Sequence, residues 1–161
     1  MSAHHGYAVR IEWTGNRGEG TASYRAYGRD HRILADGKNH AIDGSSDRTF
    51  HGDAERWNPE ELVIAALAQC HMLSYLHVAS ANGLVVVDYS DDATGTLETV
   101  GDGGRLTEAT LRPIVTLAAH HTRADADRAG ALHERASELC FIANSVSFPV
   151  HHEVSILIAS A

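Results

Sequence analysis

The sequence predicts an α+β domain, and three observations carry that expectation. Segments of period-2 alternation recur through the chain, two segments have helical spacing, and Gly-rich or Asp-Gly punctuation separates them. No internal repeat, low-complexity tract or Pro/Ser-rich linker intervenes, so a single domain over residues 1–161 is expected. The order reads β-rich, helix, β-rich, helix, strand.

Tyr7, Val9, Ile11 and Trp13 alternate with Ala8, Arg10 and Glu12, the pattern of a half-buried strand. Gly15 to Gly20 is a turn, and Thr21 to Tyr27, rich in Thr, Ser and Tyr, reads as a second strand. His31–Ala35 and Lys38–Ile42 flank Asp36-Gly37, a two-residue hairpin signal because type I′ turns need positive φ. The clearest helix follows. Asn58 suits the N-cap, Pro59 the first helical position, and Glu60 and Glu61 the positive end of the dipole. Asn82-Gly83 suits its C-terminal stop. Leu84–Tyr89 and Thr94–Val100 read as strands, and Gly101–Gly104 turns the chain into Arg105–Ala118. A second helix is expected over about residues 124–143, with Leu132, Ala136, Leu139, Cys140 and Ala143 on one face. Phe148–Ile158 reads as a last strand.

From Leu62 to Ala68 the first helix is apolar on every side, which calls for burial on every side. One small sheet covers only one face, so a second copy of the chain is expected to cover the rest. This burial argument predicts an intertwined homodimer.

Composition narrows the function. Hydrophobic residues are 43% and charged residues 21%, a globular balance. Lys and Arg number 13 against 21 Asp and Glu, for a formal net charge of −8, so neither nucleic acid nor an anionic membrane is an expected partner. The stretch Leu62–Ala68 is far short of a membrane span, and Met1–Tyr7 has no apolar run of the signal-peptide kind. Two cysteines do not make a disulfide scaffold, so a reducing cytoplasm is the expected compartment.

Those two cysteines admit two readings. Cys70 lies in the first helix and Cys140 near the end of the second, and free cysteines are among the most buried residue types, so both fit a core. They also fit a peroxidatic and a resolving thiol. A thiolate attacks a peroxide, becomes a sulfenic acid, and the second thiol condenses with it to a disulfide. A thiol's ordinary pKa is about 8.5 and burial raises it, so such a thiolate needs a cation. Cys70 lies twelve residues beyond Asn58, outside the reach of the helix dipole. An arginine held by a carboxylate supplies a permanent charge.

Asn58-Pro59-Glu60-Glu61-Leu62, followed by Cys70 ten residues after Glu60, resembles the signature of the OsmC/Ohr family, the osmotically inducible protein C and organic hydroperoxide resistance proteins. The second cysteine seventy residues on, the element order and the turn Thr14-Gly15-Asn16-Arg17-Gly18-Glu19-Gly20-Thr21 fit the same family, so the resemblance spans nearly the whole chain. It implies an OsmC-like fold, antiparallel sheets wrapped around two central helices in an intertwined homodimer. It implies thiol-dependent reduction of organic hydroperoxides at the subunit interface, without a cofactor, with a dithiol such as a lipoylated protein as reductant. Cys70 maps onto the peroxidatic cysteine, Cys140 onto the resolving one, and Glu60 onto the glutamate that holds the catalytic arginine. Arg17 matches the Ohr branch by its Thr-Gly-x-Arg turn and is preferred. Arg48 resembles the OsmC-branch position, and Arg29 is a third candidate. The stretch Arg25–Phe50 is long for either branch and points to a distinct, OsmC-like subgroup.

Geometry sets a condition on Glu60. Ten helical residues rise about 15 Å, so Glu60 cannot touch Cys70 along one unbroken helix. Either the helix breaks, an arginine bridges them, or the other chain contributes; Glu60 as simple dipole complement is the bland alternative.

Twelve histidines invite a metal reading that their spacing does not support. His4-His5, His120-His121 and His151-His152 are adjacent, and strand neighbours point to opposite faces. His133-Glu134 opens a run like HExxH, but Ser137 stands at its last position. His71 and His77 do not share a helix face. Solvated or core histidines are therefore expected. Rival functions are a hot-dog-type thioesterase or dehydratase, which leaves both cysteines idle, and a non-catalytic dimer that binds a lipid-like ligand.

Overall fold

The computed structural model describes residues 4–160, so Met1–Ala3 and Ala161 of the predicted domain lie outside it. The chain divides into two compact units, up to Leu62 and from Val63 onward.

The first unit is a three-stranded antiparallel sheet, β1 (Arg10–Trp13), β2 (His31–Leu34) and β3 (Ile42–Gly44), with β2 in the middle. β2 and β3 pair as a hairpin, but not through the expected two-residue turn: residues 35–41 join them, Gly37 is at φ 75° while Asp36 does not take the positive φ of a type I′ turn, and the second strand starts at Ile42 rather than Lys38 and pairs Ile42 with Ile33. The expected strand Thr21–Tyr27 is instead a series of turns. Two features hold that shape. Asn16 Oδ1 accepts from the N–H groups of Gly18 and Gly20 at 2.9 and 3.1 Å. The Arg29 guanidinium donates to the carbonyls of Tyr24 and Tyr27 and lies 4.3 Å from both ring centres, taking the place of a strand partner.

Helix α1 (Pro59–Ala81) begins at the last residues of this unit. Its start is a reciprocal cap: Glu61 N–H donates to Asn58 Oδ1 at 2.8 Å and Asn58 N–H to Glu61 Oε2 at 3.2 Å. It stops where predicted, with Gly83 at φ 72° and Leu84 N–H closing on Ala79 O.

In the second unit, β4 (Val86–Asp91), β5 (Thr94–Val100), β6 (Gly103–Leu111) and β7 (Pro113–Leu117) precede α2 (Arg123–Leu139), and β8 (Val150–His152) and β9 (Ser155–Ile158) follow it. They build two sheets, β4-β7-β9 and β5-β6-β8. The stretch expected as one strand over Arg105–Ala118 is two, in different sheets. Pro113 has no N–H and the Arg112 N–H goes to Asp91 Oδ1 at 2.7 Å, so the ladder is interrupted there. The expected last strand divides likewise into β8 and β9. Both pair in parallel, with β6 and β7, so the sheets are mixed rather than purely antiparallel; the crossover through α2 brings the chain back in the same direction.

α2 is capped by a reciprocal Thr122–Asp125 box. It ends at Leu139, short of the expected Ala143, because the carbonyls of its last turn find other partners: Cys140 N–H donates to Ser137 O, and the Asn144 amide to Glu138 O at 3.0 Å. Its buried face is Ala126, Ala129, His133 and Ala136.

Two apolar clusters form the core. One gathers Tyr75, Ala79, Leu84, Val115, Leu117, Ala129 and Ala136; the other Leu67, Ala109 and Leu111, with Ile64 and Phe148 packed on it. α1 contributes Leu67, His71, Tyr75, Val78 and Ala79, about one face. Elsewhere on α1, Leu73 is 61% exposed and Leu62, Val63, Ile64, Met72 and Leu76 are half-buried, so their own chain covers them incompletely. By length and composition alone α1 could cross a bilayer. Its buried face instead carries His71 and Tyr75, both hydrogen-bonded to α2.

Candidate functional site

The fold brings Cys70 and Cys140 together. Cys70 sits mid-way along α1 and is half-buried. Cys140 is buried, and it is not on a helix face as expected but at the C-cap of α2, in extended conformation. Cys70 stands near enough to Cys140 to influence its ionisation, and both are free thiols. Burial pushes the Cys140 thiol well above its ordinary value, the Ala143 N–H, 3.4 Å from Sγ, pulls the other way, and the Cys70 thiol adds to the rise. Cys140 is therefore a protonated thiol at neutral pH.

Apolar residues neighbour each cysteine in the sequence. Leu73, one turn beyond Cys70, and Phe141 and Ile142, next to Cys140, are exposed, Phe141 at 78%. Met72 and Leu139 are half-buried. Leu67, one turn before Cys70, is fully buried in the core.

The candidate arginines all belong to the first unit. Arg29 is engaged by the Tyr24 and Tyr27 carbonyls and rings, which leaves its guanidinium little freedom. Arg17 is exposed on the loop that Asn16 organises, and Arg48 is exposed on a one-turn 3-10 helix; neither guanidinium makes a hydrogen bond or ion pair among the described residues. Glu60 lies in the first turn of α1, and α1 is unbroken to Cys70, which removes the broken helix from the three alternatives for linking them.

A second polar group includes the residue that follows Cys70. His71 follows Cys70 on α1 and is fully buried; His133 on α2 is 3% exposed. His71 Nε2 and His133 Nδ1 are 2.9 Å apart. The Tyr75 ring stacks on His133 at 3.8 Å, and His152 lies 4.4 Å from His71, ring centre to ring centre. Burial depresses His71 to about 4 and His133 to about 3, and neighbouring imidazoles push the same way, so the pair is neutral and one ring donates to the other. The signal was the helical spacing: Leu67, His71 and Tyr75 recur every four residues. Solvated or core histidines were expected: His71 and His133 are buried, His152 is half-buried, and His151 and His77 are exposed. Among the described residues no group of three His, Cys, Asp or Glu side chains is placed to hold a metal ion.

A family model described as OsmC-like protein matches residues 52–155. Solved structures agree. An OsmC-like protein of unknown function from Vibrio cholerae is 29% identical, covering 94% of this chain and 99% of its own, with a TM-score of 0.83. An organic hydroperoxide resistance protein OsmC from Legionella pneumophila, described as a predicted redox protein, is 19% identical over 97% and 99% of the two chains, TM-score 0.68. An organic hydroperoxide resistance protein from Elizabethkingia anophelis is 14% identical over 99% and 100%, TM-score 0.68. The last two are likenesses of fold. No curated protein sequence matches the chain.

Proposed function

This chain belongs to the OsmC-like protein family, and from that premise we propose that it is a cysteine-based peroxidase that reduces organic hydroperoxides. The observation that carries the reading is that Cys70 and Cys140, seventy residues apart in sequence, are free thiols near enough for one to influence the ionisation of the other. The names of the Legionella and Elizabethkingia proteins point the same way.

Cys70, the more accessible thiol, attacks as the thiolate. An S–O bond forms, the peroxide O–O bond breaks, and the alkoxide leaves and takes a proton to become the alcohol. The Cys140 sulfur then attacks the Cys70 sulfenic acid: the S–S bond forms, the S–O bond breaks, and hydroxide departs with the Cys140 proton as water. A dithiol, such as a lipoylated protein, restores both thiols by two exchange steps. Arg17 is the cation that stabilises the Cys70 thiolate, and Glu60 holds it through a charge-assisted pair. Its free guanidinium supports Arg17 over Arg29. The exposed Leu73, Phe141 and Ile142 favour a substrate with an apolar tail. A homodimer covers the apolar surface that α1 leaves open. A cytoplasmic location fits two cysteines that make no disulfide scaffold.

Titration of free thiols before and after one equivalent of cumene hydroperoxide tests the reading. Loss of both thiols of each chain supports it. Retention of both favours a thioesterase-like or ligand-binding role and overturns it.

A further inference from the structure

We infer that the hydrogen bond between His71 and His133 is the clamp that sets the approach of Cys140 to Cys70, which makes both histidines positioning residues for disulfide formation. The inference deepens the proposed peroxidase cycle and rests on it for its biological use, though the effect of the clamp on the two thiols is measurable without peroxide.

The placement of the four residues carries the argument. His71 is the residue after Cys70, so the two share one turn of α1. His133 is two helical turns before Cys140, a rise of about 10 Å along α2. A rotation of α2 at His133 is therefore passed on to its C-cap, where Cys140 stands. Among the described residues only two side-chain hydrogen bonds join α1 to α2: His71 to His133 at 2.9 Å, and Tyr75 Oη to Ala129 O at 3.2 Å. The histidine bond is the nearer to Cys140 in sequence.

The neighbouring packing does not fix this register by itself. Tyr75, which stacks on His133, belongs to one apolar cluster, and Leu67, one turn before His71 on α1, belongs to the other. Apolar contact is non-directional and tolerates small slides. An N–H···N bond does not, since it weakens steeply away from about 3 Å and a straight line. The outer nitrogens, His71 Nδ1 and His133 Nε2, have no partner among the described residues, so this bond is the main polar contact of the pair. Tyr75 on one side and His152 on the other keep the rings from swinging away. A disulfide needs its Cβ atoms within about 3.5–4.5 Å in a narrow dihedral range, so a slide at His133 is felt at the sulfurs.

The test uses the full chain. The double substitution His71→Leu/His133→Leu removes the bond while leaving neither partner orphaned, which protects stability. Equilibration of the Cys70–Cys140 disulfide with glutathione reads the effective concentration of one thiol at the other, without peroxide. The clamp predicts a fall of about tenfold in the double variant, the scale of one ordinary hydrogen bond. His133→Asn, whose amide reaches where Nδ1 stood, keeps the wild-type value within about threefold. His133→Gln places its amide elsewhere and loses it. These two decide the matter where the double variant lacks the wild-type far-UV spectrum. An unchanged equilibrium in the double variant, or Asn and Gln variants that behave alike, overturns the clamp. In a Cys140→Ser background, sulfenic acid formation on Cys70 proceeds at the same rate with and without the histidines; equal slowing of that step would show general damage and overturn the clamp too. If no variant forms a sulfenic acid, the peroxidase reading fails while the glutathione equilibrium still judges the clamp.

Discussion

Acid should weaken this fold through the buried imidazole pair in a definable pH window. His71 is fully buried and His133 is 3% exposed, and the 2.9 Å bond between them requires one ring to donate and the other to accept. Burial holds them at about 4 and about 3, against about 6.5 in the unfolded chain. Above pH 6.5 both rings are neutral in either state and the pair gives no pH dependence. Below it the unfolded chain takes up protons that the folded chain refuses, so stability falls with pH until His71 itself protonates near 4. Each unit of that separation is worth about 1.4 kcal/mol, so the His71 gap amounts to about 3 kcal/mol. The two sites share one interaction, so the His133 gap is not added to it. His152, lowered by the same burial, acts in the same direction. The lowered Asp47 and Asp125 carboxyls lose stability too, but below about pH 4, and the raised Asp91 carboxyl acts with opposite sign. Urea unfolding followed by far-UV circular dichroism, at half-unit steps from pH 7.5 to 4, measures the effect. Wild type should lose about 3 kcal/mol more than His71→Leu/His133→Leu between pH 6.5 and 4. Parallel losses in the two proteins would refute the reasoning.

Four further outcomes follow from the proposed chemistry. Cys70→Ser should reduce peroxide turnover to background, measured as hydroperoxide consumed in the presence of a dithiol. Cys140→Ser should keep the first turnover and then stall, with sulfinic or sulfonic acid on Cys70 in the mass spectrum, because no second thiol protects the sulfenic acid. Glu60→Ala should slow Cys70 oxidation by about ten- to a hundredfold, the range of one charge-assisted hydrogen bond, with the far-UV spectrum unchanged. The kcat/KM for cumene hydroperoxide should exceed that for hydrogen peroxide by about ten- to a hundredfold, since burying about 100 Å² of apolar ligand surface contributes about 2.5 kcal/mol.

Local chemistry made the ends of α1 readable. Asn58, Pro59 and Glu61 act within four residues of one another, and Asn82-Gly83 needs only its own backbone, so the helix begins and stops where those residues say. The fold class and the family signature were readable for the same reason, since the NPEEL-to-cysteine spacing is local. What escaped depends on distant partners. The break at Arg112-Pro113 is enforced by Asp91, on another strand, and the parallel pairing of β8 and β9 by the crossover through α2. Thr21–Tyr27 has strand composition, but Arg29 claims its carbonyls. Of the candidate site, the two cysteines were legible as a pair, while the displacement of Cys140 from helix face to C-cap hangs on Asn144 and Ala143. His71 and His133 were legible only as solvated or core histidines; their hydrogen bond spans 62 residues and belongs to the tertiary structure alone.

The account turns on whether Cys70 and Cys140 reduce an organic hydroperoxide together. One equivalent of cumene hydroperoxide per chain, followed by quantification of cumyl alcohol and peptide mapping of the same sample, measures both halves of that claim at once. The account predicts one cumyl alcohol formed for each Cys70–Cys140 cross-link. Unconsumed hydroperoxide with both cysteines recovered as free thiols would contradict it.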